Sequence, residues 1–105
     1  MKKITKPEQG CPILSAFEMI SGKWKFAIIY ALLNDKKRFK ELEREVEGIS
    51  TRMLVKSLSE LQHDKIIQRK AYPTIPPKVE YSLTAKGKGL EPVLYEIQQW
   101  GMNHT

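Results

Sequence analysis

A change of hydrophobic period at Asp64-Lys65 constrains the fold most. Before it, apolar residues recur every three or four positions, the helical spacing; after it they alternate. Ile67, Arg69 and Ala71 alternate with Gln68, Lys70 and Tyr72, and Val79, Tyr81 and Leu83 alternate with Lys78, Glu80 and Ser82, so two strands are predicted. Between them, Pro73-Thr74-Ile75-Pro76-Pro77 excludes helix and stiffens a projecting loop. The chain is therefore mainly α with a small β-hairpin.

The residues before the switch give the helices their roles. In Gly48–Gln62, Leu54, Leu58 and Leu61 fall at i, i+4 and i+7, one apolar stripe. Roughly opposite lie Arg52, Lys56, Ser59 and His63, with no acid among them. Cations and a hydroxyl on an outer helix face suit phosphates and base edges. Ser50 or Thr51 is the candidate N-cap. A shorter helix precedes it, marked by Phe39, Leu42 and Val46, and Gly48-Ile49 makes a tight link. Short helix, tight turn and amphipathic helix form a helix-turn-helix; adding a hairpin with a projecting tip makes a winged helix.

Further upstream, Pro12 opens a helix carrying Ile13, Leu14, Phe17 and Ile20, with Gly22 as its stop. Trp24–Leu33 is apolar nearly all round and is expected to be buried at the centre of the core. Downstream, Thr84 caps a last helix, about 84–102, with Leu90, Val93, Leu94, Ile97 and Trp100 along one side. Gly87, Gly89 and Pro92 weaken or kink its first half. So many large apolar groups on one terminal helix exceed the needs of a small core and point to a second copy of the chain.

At 105 residues there is room for one domain, here 11–105, behind a flexible arm at 1–10. Lys and Arg number 18 against 12 Asp and Glu, a net charge of +6 that favours a polyanionic partner. That charge is uneven. Residues 65–88 hold Lys65, Arg69, Lys70, Lys78, Lys86 and Lys88 against Glu80, whereas 89–105 hold only Glu91 and Glu96. A basic hairpin and an acidic last helix fit a DNA face opposite a dimer face. One cysteine excludes an intrachain disulfide, and no apolar run approaches the ~20 residues that span a bilayer, so a soluble cytoplasmic protein is expected. Cys11, His63 and His104 have no metal-ligand spacing, and Lys86-Gly87-Lys88-Gly89 lacks the phosphate-loop order. Neither a metal, a cofactor nor an enzymatic activity is expected.

Cys11-Pro12, Gly22-Lys23-Trp24, Arg38-Phe39-x-x-Leu42 and Gly48-Ile49-Ser50-x-Arg52-Met53-Leu54 occur in that order, followed by Tyr72-Pro73-x-x-Pro76-Pro77-x-Val79-Glu80-Tyr81 and Ser82-Leu83-Thr84-x-x-Gly87. Together they resemble the HxlR-type winged-helix transcriptional regulators over nearly the whole chain. The resemblance implies a bacterial homodimer that regulates transcription by binding double-stranded DNA at a pseudo-palindromic site. Its first and last helices would form the interface, including Ile13, Leu14, Phe17, Leu90, Leu94, Ile97 and Trp100. The helix from Ser50 to His63 would enter the major groove and the 72–78 wing would reach the neighbouring backbone or minor groove. Some members sense electrophiles or oxidants through the cysteine corresponding to Cys11; others have no known signal.

The site expectations follow. Arg52 is placed for base edges and Lys56 for phosphate, with Ser50, Thr51 and Ser57 as weaker contacts that could equally be caps or fillers. Arg38, Lys40, Lys70 and Lys78 are candidate phosphate contacts. Cys11, at a helix start near Lys2, Lys3 and Lys6, reads either as a reactive thiol or as a small apolar residue. Two rival functions stay open: a winged helix used for protein–protein contact, and a constitutive regulator without a thiol switch.

Overall fold

The computed structural model describes residues 12–105. Both the 1–10 arm and Cys11 lie outside the described residues. The elements run α1 (Pro12–Ile20), α2 (Lys23–Leu32), α3 (Phe39–Glu45), α4 (Thr51–His63), β1 (Ile67–Tyr72), β2 (Lys78–Leu83), α5 (Ala85–Lys88) and α6 (Glu91–His104).

The start of α4 has a local cause. Gly48, at φ 85°, adopts the left-handed conformation that lets the chain turn sharply between α3 and α4. Ser50 is the N-cap of α4, its hydroxyl accepting the Met53 N–H at 3.0 Å. Leu54, Leu58 and Leu61 then face inward and are buried. They pack on Ile28, Ile29 and Leu32 of α2 and Leu42 of α3, and Ile66, Ile67 and Leu83 complete the core at the root of the hairpin.

The strands are antiparallel with Ile67 opposite Leu83 and Tyr72 opposite Lys78. One further rung lies outside the hairpin. Lys37 N–H donates to the Tyr81 carbonyl at 2.9 Å, and Tyr81 N–H donates to the Lys37 carbonyl at 2.8 Å. This single pair fastens the segment before α3 to β2 and so sets the wing beside the helix-turn-helix.

Three expectations are corrected here. The last helix is two helices: Thr84 caps α5, and the chain breaks at Gly89-Leu90 before α6 begins with Pro92 in its first turn. Proline fits only that first turn, where no N–H is required. Leu94, assigned to a dimer interface, is 4% exposed and belongs to the chain's own core. Helix α2 is not buried all round, since Tyr30 is exposed and Trp24, Phe26 and Ala27 are half-buried.

By contrast, α1 has no buried residue, and Ile13, Leu14 and Phe17 are exposed. So are Val93, Ile97 and Trp100 on α6, while Leu90 is half-buried against the core. The radius of gyration, 15.4 Å, exceeds the roughly 13 Å of a compact chain this long.

Candidate nucleic-acid interface

Burial of the leucine stripe fixes the rotation of α4, and that rotation sets its outer face. Arg52, Lys56, Ser59 and His63 are all exposed, as the spacing predicts. Among the described residues, neither Arg52 nor Lys56 has a carboxylate within ion-pair distance. Thr51 is exposed, but its hydroxyl donates to Glu43 Oε2 at 2.6 Å. The Ser50 hydroxyl is occupied as the cap. Ser57 is corrected: at 2% exposure it cannot reach a ligand. Its position, three after Leu54 and four before Leu61, puts it in the buried stripe.

The other cations gather around the wing. Lys70 and Lys78 both lie over the Tyr72 ring, 5.1 and 5.0 Å from its centroid. That geometry is attractive for a cation on a π-face and brings the two ammonium groups to one side of the hairpin. Lys78 also pairs with Glu80 Oε2 at 3.4 Å, and Lys36 pairs with Oε1 at 3.4 Å. Lys37 is held within the fold: it donates to Glu45 at 3.0 Å, and that bond raises its pKa above the usual lysine value.

Arg38 and Lys40 meet the wing at the loop end of β2. With Arg44, Glu41, Phe39, Pro77 and Val79 they line an open groove of about 710 Å³. Glu41 accepts the Arg38 backbone N–H at 2.8 Å, one half of a capping box. A guanidinium has no acceptor for the other half, so the Arg38 side chain is not consumed by it. Arg44 is not among the contacts expected from the sequence; its spacing from Lys40, one helical turn, is the signal that puts both on this groove.

Glu80 is the one acid within the basic wing, and it is nearly buried. Burial alone would raise its pKa, but the Tyr72 phenol, the Lys36 ammonium and the Lys78 charge outweigh burial and hold it below 4.5. A carboxyl with a depressed folded pKa stabilises the fold above its unfolded value, and that contribution disappears as pH falls through the folded value. Glu80→Gln is therefore expected to flatten the loss of stability as pH falls below the usual carboxylate range. Urea midpoints at neutral and acidic pH would show this. Parallel pH dependence in wild type and variant would rule Glu80 out as a source.

Among the described residues, no helix is long and apolar enough to cross a membrane. No group of three or more His, Cys, Asp or Glu among them could hold a metal ion.

A helix-turn-helix whose second helix exposes Arg52 and Lys56, joined to a basic wing, defines the winged-helix class of DNA-binding proteins. The chain belongs to the HxlR-like helix-turn-helix family, whose model matches residues 19–105. YybR of Bacillus subtilis (strain 168), an HTH-type transcriptional regulator, is 43% identical over 100 residues, which span 95% of this chain and 80% of YybR. A protein of Porphyromonas gingivalis W83 assigned to the MarR family of transcriptional regulators superposes with a TM-score of 0.88 at 36% identity, covering 96% of this chain and 99% of that one. The redox regulator HypR in its oxidised form superposes with a TM-score of 0.83 at 42% identity, over 90% of this chain and 98% of HypR. The resemblance carried by the sequence motifs is thus confirmed as membership.

Proposed function

We propose that this transcriptional regulator acts as a cytoplasmic homodimer that places two copies of α4 in successive major grooves of a pseudo-palindromic operator, roughly 34 Å apart. The observation that carries the reading is the exposed face of α4, where Arg52 and Lys56 stand without acidic partners among the described residues. Arg52 forks onto a base edge and Lys56 neutralises a phosphate. Arg38 and Lys40, joined by Arg44, contact backbone beside the loop end of β2, and Lys70 and Lys78 contact it from the wing. Ser50 and Thr51 are secondary contacts, because both hydroxyls already serve the fold.

The dimer reading rests on the exposed apolar groups Ile13, Leu14 and Phe17 of α1 and Ile97 and Trp100 of α6, with Leu90 at their margin. Hydroxyl-radical footprinting on a duplex selected from a random library tests dimer and groove together. Two protected windows about one helical turn apart, on one face of the duplex, are expected. A single window, or protection insensitive to salt, contradicts it.

The similarity to HypR, named a redox regulator, favours a regulatory thiol at Cys11. As the single cysteine, it can be oxidised to a sulfenic acid, a mixed disulfide with a small thiol, or a bond between subunits. Cys11→Ser should leave DNA affinity unchanged and abolish its response to diamide. A response that persists in the variant removes the thiol from the mechanism and leaves a regulator constitutive with respect to oxidants.

A further inference from the structure

Helix α4 exposes one large apolar side chain. Val55 is 54% exposed, while the other exposed residues of the helix are Thr51, Arg52, Lys56, Ser59, Glu60 and His63, all polar. Single exposed apolar residues are common on protein surfaces and need no explanation by themselves. Here the position supplies one. By the helical rotation Val55 lies about 60° round the axis from Arg52 and about 40° from Ser59, so it flanks the face already assigned to the major groove on the Arg52 and Ser59 side. Glu60, the one acid exposed on α4, lies about 140° round the helix axis from it and borders the opposite flank of that face, about 40° from Lys56.

The residue type is also poorly suited to a merely solvated site. A β-branched side chain loses rotamer freedom in a helix, and at this exposure Val55 recovers little of that cost by packing. In a major groove the same side chain has a specific use. Thymine is the one base that presents a methyl group there, and an apolar side chain recognises it by contact and exclusion of water.

We propose that Val55 is a specificity-determining residue that reads the 5-methyl group of a thymine in each half-site of the operator. This rests on the groove-reading role of α4. Arg52 and Lys56 supply attraction, and Arg52 in addition reads a hydrogen-bonding edge. Val55 adds the apolar element that distinguishes thymine from cytosine at a neighbouring step.

The test is a double-mutant cycle between protein and DNA. A duplex is selected from a random library with the wild-type chain, and each thymine is replaced in turn, in both half-sites, by deoxyuridine, which lacks only the methyl. Affinities are measured for wild type, Val55→Ala and Val55→Ile, with melting curves to show that each variant is folded. For wild type, one thymine position should lose about fourfold per half-site on methyl removal, the worth of one buried methyl. That loss should vanish in Val55→Ala and persist in Val55→Ile, which keeps the branched reach. If methyl removal at every position costs wild type and Val55→Ala the same, Val55 reads no thymine. Arg52→Ala separates the two levels of the claim. If it weakens binding while the Val55 cycle shows no coupling, the groove reading stands and the Val55 proposal fails. If Arg52→Ala also binds like wild type, α4 is not the reading helix and both fail.

Discussion

Gly87→Ala is expected to cost about 3 kcal/mol of stability, at the upper end for an overpacked site. For a domain of this size that lowers the melting temperature by roughly 15 °C. A methyl at this position would meet the Ile66 carbonyl oxygen at 2.2 Å and Leu83 Cδ2 at 3.1 Å. The carbonyl cannot swing aside at little cost, because it accepts the Thr84 N–H at 3.0 Å. The hydroxyl of Thr84 in turn donates toward the Lys65 carbonyl at 2.6 Å and accepts the Gly87 N–H at 3.1 Å. One close approach therefore locks the start of the hairpin to the start of α5. Displacing it strains the cap, the strand root and the core around Leu83 together. A melting temperature within a few degrees of wild type would mean that the two segments are not held this closely.

That junction also shows where sequence reasoning stops. Thr84 as a cap is legible because a hydroxyl before a helical segment has a local job, and the hairpin is legible because alternation repeats over six residues in each strand. The α4 stripe is legible for the same reason of repetition. What escapes is anything specified by a single contact between distant segments. The Lys37–Tyr81 rung leaves no alternating pattern, since one residue has no period. Leu94 and Ile97 look alike on a helical wheel, yet only Leu94 lies where the body of the protein covers it. Ser57 differs: its burial is legible in the leucine spacing, and its small hydroxyl packs within the stripe although its polar chemistry suits a surface contact. The chemistry of the wing was only partly visible. Lysine positions can be read from the sequence, whereas the convergence of Lys70 and Lys78 on Tyr72 depends on strand register.

Arg52→Ala should produce the largest functional loss. A bidentate contact to a guanine edge contributes about 2 kcal/mol of discrimination in each half-site, hence about 4 kcal/mol for a dimer. At 1.4 kcal/mol per decade, the affinity for a selected operator falls roughly thousandfold. Because Arg52 is exposed and has no ion-pair partner among the described residues, the fold should be unaffected, with stability within about 0.5 kcal/mol of wild type. The character of the loss matters more than its size. A base-reading contact, once removed, relaxes preference at one position of the site while binding to unrelated DNA changes much less. Lys56→Ala should do the reverse. It should weaken selected and random duplexes alike, and lower the slope of log affinity against log salt by about 0.9 per half-site, the signature of one lost phosphate contact. If the two variants exchanged these signatures, Lys56 would be the reader and Arg52 the backbone contact. If neither altered binding, the Arg52 and Lys56 face of α4 would be facing away from the DNA.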